Sequence, residues 1–399
     1  MGSKKNVILI TPFWTGIKSF FLEGEDKFKG MPAFTNTFFS LVNNGNIEKI
    51  FVIFLGNRIE TNFKISEKYE EKIKVYGFSF SNKLFAVKTI LSLFVKVIKI
   101  IKKNKSSVLY GHGSVGGVAG IISLFTKTPN IRRVYGTFLC DELNRSKISI
   151  FFRHPLEYLT FSLPAKAIIC TNDGTKGDLV FDKIGHKSTP FYFWLNGIDK
   201  TDYNLLPYAQ VASKYKINFK PQICYIARID IWKRQHLLLE ILKILDKRGN
   251  KFKTLIAGPV INKKYYQDLE NKLSNYRLSE FVKIIPGLTK EETISVIKAS
   301  DISVSFYDYS NLGNVFLESL SLGTVMLSEN INNSLALIDK ELYYNVIPSD
   351  YKETANIIEH IFENTEELSL KSDKAIKFSH KQLLTWKERA EKEVFLLGI

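Results

Sequence analysis

The alternation of hydrophobic and polar residues between positions 301 and 327 predicts a strand, a loop, a helix and a second strand. Apolar residues alternate with polar ones over 302–306, which is typical of a half-buried strand. A polar loop follows, and from Asn314 the apolar residues take helical spacing. Gly323 is a suitable C-terminal stop for that helix before the next apolar run.

This order of elements predicts an anion-binding helix N-terminus. In a parallel α/β sheet, the loop after a strand directs the first turn of the next helix, with its free N–H groups, into the crevice where ligands bind. Gly313 allows the backbone to approach an anion closely, and Glu318 lies about one turn into the helix. An anionic ligand that also carries hydroxyl groups, such as a nucleotide sugar, suits both features.

The rest of the chain alternates strands and helices in the same way, which predicts doubly wound parallel sheets. A length of 399 residues allows two such domains, each with its own core. The polar stretch up to about Phe219 is predicted to be a linker, and residues 172–175 to cap a helix. Strands are predicted at 7–10, 50–55, 108–110, 132–138, 167–171, 223–227, 254–257 and 282–285.

Composition adds one unusual feature, a net charge of +16, while the hydrophobic content of 45% and the charged content of 24% are ordinary. Such a charge indicates attraction to nucleic acid, a membrane surface or phosphorylated small molecules. Three scattered cysteines, Cys140, Cys170 and Cys224, favour a reducing compartment over a disulfide framework or a zinc site. The N-terminal apolar run is too short for a signal peptide, and we expect a cytoplasmic protein without a membrane-spanning helix.

Residues 84–105 are predicted to form a basic amphipathic helix, for which two interpretations remain open. It is a membrane-surface helix that binds anionic lipid head groups, or a crossover helix packed on the sheet with its lysines in water. The lysine face is able to serve a membrane in either case. The predicted lysine face comprises Lys88, Lys96, Lys99 and Lys102, and the predicted apolar face comprises Leu84, Leu91, Val95 and Ile98.

Two further stretches follow predicted strands and carry candidate chemistry. Residues 111–117 form a Gly-rich turn suited to phosphate or sugar, although they lack the GxGxxG spacing; His112 within them is equally compatible with a ligand contact and with a structural role. Arg228 and Lys233 lie five residues apart after a strand, where two cations are able to converge on one pyrophosphate. The alternative for this pair is two solvated surface cations.

An ordered set of short motifs resembles glycosyltransferase family four, the large retaining group with the GT-B fold. Each motif is weak alone, but the set spans nearly the whole chain in the family's order and spacing. The motifs are Lys29-Gly30, Gly111-His112-Gly113, Asn196-Gly197, Arg228 with Lys233, Gly258-Pro259, Pro286-Gly287, and Gly313 with Leu317-Glu318.

The resemblance implies an α/β protein of the GT-B class, with two Rossmann-like doubly wound domains that face an interdomain cleft. Residues 1–205 would form the acceptor-side domain and residues 206–380 the domain that binds the nucleotide-sugar donor. A helix in 381–399 would cross back to the first domain.

The resemblance also implies roles for individual residues. Arg228 and Lys233 would neutralise the donor diphosphate, and Glu318 would accept hydrogen bonds from ribose hydroxyls. The implied catalytic residues are Arg228, Lys233, His112 and Glu318. The implied donor-binding residues are Gly30, Gly258, Gly287, Leu288, Ser310, Asn311, Gly313, Asn314, Val315 and Glu318.

The sequence departs from the family pattern at two places. The first glutamate of the family's pair falls at Ser310, and Asp308, Asn311 or backbone N–H groups are the candidates to replace it. The family's histidine at the end of a first-domain strand falls within 136–138, which contains none; His112 is the remaining histidine in a comparable place.

The expected function is retaining, hexosyltransferase-type transfer from a nucleotide sugar, with a UDP-sugar favoured, to a hydroxyl of a glycan or lipid-linked acceptor. The expected setting is bacterial surface polysaccharide or glycolipid assembly, in the cytoplasm or at the inner face of the membrane, without cofactor or metal. Three alternatives stay open: a catalytically silent nucleotide-sugar-binding subunit, a sugar-nucleotide epimerase on the same scaffold, and a nucleic-acid binder. The dispersed lysines disfavour the last of these.

Overall fold

The computed structural model describes residues 4–28, 30–80, 83–199, 206–330, 335–336 and 338–399, without the side chains of 83–86. The chain divides into two compact units. The first contains Met1–Gly197 and Thr385–Ile399, and the second contains Ile198–Leu384. Each unit is an α/β layer structure built on one parallel sheet.

In the described residues of the first unit, seven parallel strands form one sheet in the order β3-β2-β1-β4-β5-β6-β7. They are β1 Lys5–Thr11, β2 Ile47–Asn57, β3 Ile73–Phe80, β4 Ser107–His112, β5 Asn130–Val134, β6 Ala167–Thr171 and β7 Phe191–Trp194. Its helices are α1 Lys18–Leu22, α2 Pro32–Asn43, α3 Lys83–Lys103, α4 Gly116–Thr126, α5 Lys147–Arg153, α6 Pro155–Ser162 and α7 Gly177–Ile184.

The central strands are apolar nearly throughout because helices cover both faces of this sheet. Val7 and Leu9 of β1 point into the core shared with α1 and α2, and Ile8 and Ile10 point into the core shared with α3 and α4. The unit is therefore a three-layer sandwich with an apolar core on each face of β1, and a further buried apolar cluster lies among β5, β6 and α5–α7.

The described part of the second unit contains six parallel strands in the order β10-β9-β8-β11-β12-β13. They are β8 Ile223–Ile226, β9 Thr254–Ala257, β10 Val282–Ile285, β11 Ile302–Ser305, β12 Val325–Ser328 and β13 Tyr343–Asn345. Its helices are α8 Tyr208–Lys214, α9 Gln235–Lys247, α10 Lys263–Asn275, α11 Lys290–Ala299, α12 Asn314–Leu322, α13 Tyr351–Glu363 and α14 Thr365–Gln382; α15 Trp386–Leu396 follows in the first unit.

The strand order reverses between β1 and β4 in the first sheet and between β8 and β11 in the second. Ligands of open α/β sheets bind at the carboxyl ends of the strands that flank such a reversal. The predicted doubly wound parallel sheets are confirmed. The predicted strand, loop, helix and strand over 301–327 are β11, the loop up to Gly313, α12 and β12, and Gly323 ends α12 in the left-handed conformation.

Several predicted element boundaries are wrong. The predicted linker contains α8, because Val211 is buried in the core of the second unit and anchors this short helix there. Lys214 and Tyr215 also bond to the Glu292 carboxylate of α11, at 2.6 and 2.9 Å. β4 continues to His112, where a turn was predicted to begin after Tyr110.

Two helix ends and one strand end also differ from the prediction. Residues 172–175 form a turn in which Asp173 accepts hydrogen bonds from Thr175, and α7 starts only at Gly177. β5 ends at Val134 rather than at 138. The predicted C-terminal helix over 382–397 is the end of α14 and a separate α15, whose Thr385 N-cap forms a capping box with Glu388.

α3 packs on the sheet through a different face from the predicted one. Leu93, Val97 and Ile100 are buried against the sheet, whereas Leu91 and Val95 of the predicted apolar face are 61% and 54% exposed.

The predicted lysine face of α3 is confirmed only in part. Lys88, Lys99 and Lys102 are exposed, but the Lys96 ammonium lies 4.0 Å from the centroid of the Tyr76 ring. The Leu84 side chain lies outside the described residues. No helix in the described ranges has the length and apolarity to cross a membrane.

A buried carboxylate attaches α15 to the first sheet. Glu393 pairs with Arg133 of β5 at 2.9 Å and with Arg389 at 2.6 Å, and the Tyr110 hydroxyl donates to it at 2.6 Å. Burial alone would raise the pKa of Glu393, but the two guanidinium groups and the hydrogen bonds outweigh burial and hold the pKa below its ordinary value. Glu393 is therefore ionised, and the two arginines depend on its charge.

We predict that Glu393→Ala lowers the free energy of unfolding by about 3–5 kcal/mol, because two buried guanidinium groups would lose their counter-charge. Urea unfolding followed by circular dichroism measures this loss. Glu391→Ala is the matched control, since Glu391 is exposed on the same helix. Equal unfolding midpoints for the two variants would contradict the proposed dependence.

Candidate functional site

The two predicted cations of the second unit lie around one aromatic ring. Arg228 follows β8, and its guanidinium carbon lies 5.3 Å from the centroid of the Trp232 ring. The Lys233 ammonium lies 3.7 Å from the same ring and 3.3 Å from the centroid of the Tyr307 ring. Arg228 is exposed, whereas Lys233 is only 8% exposed. The structure therefore brings the predicted pair together at the carboxyl end of β8.

The backbone of this loop is held by buried side chains. The Tyr225 hydroxyl donates to the Lys233 carbonyl, and the Gln235 amide donates to the Arg228 carbonyl at 2.9 Å. The residue that precedes Gln235, Arg234, adopts the left-handed conformation with a φ of 55°. Its guanidinium pairs with Asp308 at 3.3 Å. The cations are thus fixed by their backbone rather than left on a mobile loop.

The loop after β11 meets the loop after β8, as expected for two strands that flank the strand-order reversal. The Asp308 N–H donates to the Trp232 carbonyl at 3.0 Å, and the Tyr307 hydroxyl donates to the Ile226 carbonyl at 3.0 Å. Tyr307 also supplies the ring that covers Lys233. The two loops form one structural unit at the strand ends.

Asn311 organises the β11–α12 loop from inside. Its side-chain oxygen accepts from Ser305 and from the Tyr307 N–H, both at 2.9 Å, and its amide nitrogen donates to the Tyr307 carbonyl at 2.9 Å. The residue is 2% exposed. Of the candidates to replace the missing carboxylate, the Asn311 side chain is therefore occupied by the loop itself.

Ser310 occupies a strained position in this loop, with a φ of 61°, and Gly313 is the N-cap residue of α12. Gly313 has no side chain that could bond to the first turn of the helix. A Cβ at Gly313 would meet only the Ser310 carbonyl oxygen, at 3.6 Å. The backbone at Asn314 and Val315 thus presents a helix N-terminus that an anion is able to approach.

Glu318 lies one turn further along α12 and is 4% exposed. Its carboxylate pairs with the Lys290 ammonium, and Lys290 also lies 3.9 Å from Asp199. Burial raises the pKa of Glu318 above its ordinary value, and the Lys290 charge opposes this shift without cancelling it. Glu318 is a poorly solvated acceptor that hydroxyl donors would satisfy.

Sequence reasoning missed three contributors to this site: Trp232, Tyr307 and Lys290. Lys290 had a detectable signal, because it is the first residue of α11, where the helix dipole disfavours a cation. A lysine at such a place indicates a carboxylate partner. Trp232 and Tyr307 had no comparable signal, since an aromatic ring next to a loop is usually part of a core.

The glycines predicted to bind the donor differ in their surroundings. A Cβ on Gly258 would lie 1.8 Å from the Ala227 carbonyl oxygen, so that glycine is required for the close packing of two loops. Gly287 has a φ of 133°, and a Cβ placed on it would have no atom within 4 Å; Leu288 beside it packs partly against the core. Gly287 therefore offers open backbone, as its predicted role requires.

In the first unit, His112 lies in the core rather than at an open surface. It is 2% exposed, packs against Tyr110 and Phe34, and its Nδ1 lies 3.0 Å from the Tyr135 hydroxyl. Burial and the Arg133 charge hold the pKa of His112 well below its ordinary value, so the imidazole is neutral at physiological pH. Its catalytic role stays a prediction.

Gly30 of the first unit has open space around a Cβ position and a φ of 130°, which fits a close approach to a ligand. Its neighbour Lys29 lies outside the described residues. Across the described ranges, no group of three or more His, Cys, Asp or Glu side chains is placed to hold a metal ion. The expected absence of a metal requirement stays a prediction.

Comparison with known proteins links this geometry to a family. Residues 211–378 match the family model of glycosyl transferases group 1. This range covers less than half of the chain and contains both cations, the β11–α12 loop and Glu318. The match supports a resemblance of the second unit to group 1 glycosyl transferases, while family four and a retaining mechanism stay predictions.

One curated relative, alpha-D-kanosaminyltransferase of Streptomyces kanamyceticus, is 24% identical over 159 residues. The alignment spans 40% of this chain and 40% of the length of that relative.

Solved structures resemble the whole chain. HepE of Anabaena in complex with UDP and glucose has a TM-score of 0.71 at 14% identity and covers 99% of both chains. Sucrose-phosphate synthase of Thermosynechococcus elongatus has a TM-score of 0.67 at 14% identity and covers 98% of both chains. At such identities the likeness shows a shared fold, and the predicted GT-B class is confirmed.

We predict that Gly258→Ala destabilises the second unit far more than Gly287→Ala. Both glycines have positive φ angles, which cost a residue with a Cβ roughly 1–3 kcal/mol. Only at position 258 would the Cβ overlap a backbone carbonyl. Urea unfolding of the two variants measures the difference, and a Gly258→Ala loss no larger than that of Gly287→Ala would contradict it.

Proposed function

We propose that this chain is a retaining glycosyltransferase of family four that transfers a sugar from a nucleotide-sugar donor, with a UDP-sugar favoured, to an acceptor hydroxyl. One observation carries the proposal. Arg228 and Lys233 flank Trp232 beside the loop that leads into α12, at the strand-order reversal of the second sheet. Two cations and a helix N-terminus at one strand edge suit a diphosphate.

The proposed chemistry is electrostatic. The bond between the sugar C1 and the diphosphate oxygen breaks, its electron pair stays on the diphosphate, and the sugar gains oxocarbenium character. Arg228, Lys233 and the first-turn N–H groups of α12 stabilise the growing negative charge where it develops. The acceptor oxygen attacks C1 from the face that the diphosphate leaves, and its proton passes to a diphosphate oxygen.

This chemistry requires neither an enzyme nucleophile nor a divalent cation, because the positive charge comes from side chains and backbone. Glu318 would accept hydrogen bonds from the ribose hydroxyls, and the open backbone at Gly287 would meet the base. The acceptor is proposed to be a glycan or lipid-linked glycan of bacterial surface polysaccharide or glycolipid assembly. The net charge of +16 suits an acceptor of this kind that carries negative charge, such as a glycan on a phospholipid.

A catalytically silent subunit that binds nucleotide sugars is the second candidate. The observation that favours it is the loop at 308–313, where Ser310 replaces a carboxylate and the Asn311 side chain is occupied internally. A screen of UDP-sugars for release of UDP, by chromatography of reactions with and without the purified chain, separates the two. Donor binding without any hydrolysis or transfer would favour the silent subunit.

We predict that Arg228→Ala and Lys233→Met each lower turnover by about two orders of magnitude, because each removes a charge from the departing diphosphate. Methionine keeps most of the bulk that fills the space between Trp232 and Tyr307, so the fold should survive. UDP release under saturating donor measures turnover. Lys263→Ala, which removes an exposed lysine from the same unit, is the control. Undiminished turnover in either variant would refute the assignment of the diphosphate to these cations.

We also predict that affinity for a UDP-sugar falls as the pH is lowered through the pKa of Glu318. The folded-state pKa of this carboxyl is raised, so the free protein takes up the proton at a higher pH than an ordinary glutamate. Protonation removes the better acceptor of ribose hydroxyls. Calorimetry over a pH series measures the effect, and a UDP-sugar is used because its diphosphate diester does not titrate there. Glu318→Gln should flatten the profile; an unchanged slope would exclude Glu318 as the titrating group.

A further inference from the structure

Helix α3 carries an apolar stripe that faces away from the sheet. Val87, Leu91 and Val95 are 61%, 61% and 54% exposed. At about 100° per residue, they lie within about 80° of one another on the helix surface. The sheet-facing side is already filled by other residues of the helix. The packing of α3 on the sheet thus does not use the residues of the stripe.

The stripe continues onto α4. The Phe94 ring of α3 packs edge-on against Phe125 of α4, with ring centroids 5.8 Å apart. Phe125 is 74% exposed and its neighbour Leu124 is 54% exposed. We name Val87, Leu91, Val95, Leu124 and Phe125 the α3–α4 patch. Contiguous exposed apolar side chains of this kind mark interaction surfaces.

The charged side chains of α3 and of the residue that follows α4 are all lysines. Lys88, Lys99, Lys102 and Lys103 are exposed on the same half of α3, and Lys127 is exposed directly after α4. The chain contains no Asp or Glu between residues 72 and 140. The α3–α4 patch therefore combines apolar side chains with lysines, in a stretch of the chain that carries no acidic residue.

We propose that the α3–α4 patch docks the protein on a bilayer that contains anionic lipid. The apolar side chains enter the boundary between head groups and acyl chains, and the lysines lie at the level of the lipid phosphates. This arrangement fits the exposed half of α3, where the apolar stripe and the lysines adjoin. The interaction uses residues of the first unit only and does not depend on the proposed transfer reaction.

The charge pattern disfavours the other occupants. A second copy of the chain in a symmetric contact would place one lysine cluster against the other. A nucleic acid would match the lysines, but the exposed side chains are mostly aliphatic and offer little for base stacking. A lipid surface accommodates both the apolar side chains of the α3–α4 patch and the lysines beside it.

Flotation of the full chain with vesicles tests the proposal. We expect binding to vesicles of phosphatidylcholine with phosphatidylglycerol, and little binding to phosphatidylcholine alone or at high salt. Lys99→Gln/Lys102→Gln should lower the partition coefficient by about thirtyfold, and Leu91→Ser/Phe125→Ser by at least about tenfold. All four side chains are exposed, so the fold should be retained, as circular dichroism would verify.

Two control variants keep the test specific. Phe152→Ser removes a phenylalanine that is 76% exposed on α5, outside the patch. Lys263→Gln/Lys264→Gln makes the same change of net charge on α10 of the second unit. Both should float like the unmodified chain.

Equal losses in the controls and the patch variants would overturn the proposal, because the attraction would then be non-specific. Absence of flotation by the unmodified chain would also overturn it. So would a dimer in light scattering that Leu91→Ser/Phe125→Ser dissociates, since the patch would then bind a second copy. UDP release is not used as a readout, which keeps failure here distinguishable from failure of the proposed transferase activity.

Discussion

The ammonium group of Lys233, enclosed by the rings of Trp232 and Tyr307, is the contact on which the candidate site depends. Removing a charge from water costs free energy, and contacts with aromatic faces offset only part of that cost. The position is nevertheless maintained, because the flanking backbone is bonded to Tyr225 and Gln235. The contact of Lys233 with Tyr307 joins the loop after β8 to the loop after β11, and the N-terminus of α12 is oriented with these loops.

Two buried glutamates illustrate how surroundings decide the state of the same chemical group. Glu393 has two guanidinium partners and hydroxyl donors, and its pKa is lowered. Glu318 has one partner, Lys290, whose side chain is 46% exposed, and its pKa is raised. The first is fully satisfied within the protein and maintains the fold. Glu318 retains unused capacity to accept hydrogen bonds, which is the property expected of a group that binds a ligand.

Helices and strands were predictable from the sequence where the local hydrophobic pattern and the topology agree. The period change from two to 3.6 at Asn314 located β11 and α12, and the glycine at 323 located the end of the helix. The pattern did not predict features that depend on contacts between residues distant along the chain. The supposed linker contains a helix because Val211 packs into a core built from distant residues. The exposed stripe of α3 was predicted to be its buried face, since both faces of that helix are apolar. The roles of Trp232 and Asn311 were also not predictable from the pattern. Trp232 acts together with Tyr307, which is distant along the chain, and the side chain of Asn311 turns into its own loop.

The division of the chain has a consequence for biosynthesis. The second unit is one continuous segment, whereas the first is completed only by Thr385–Ile399, the stretch that carries Glu393. Until that stretch is synthesised, Arg133 and Tyr110 have no Glu393 to pair with, and α2 lacks the helix that packs against it. The native pairing of the first unit is therefore completed only after the whole second unit has been synthesised, which departs from the usual order in which an N-terminal domain folds first.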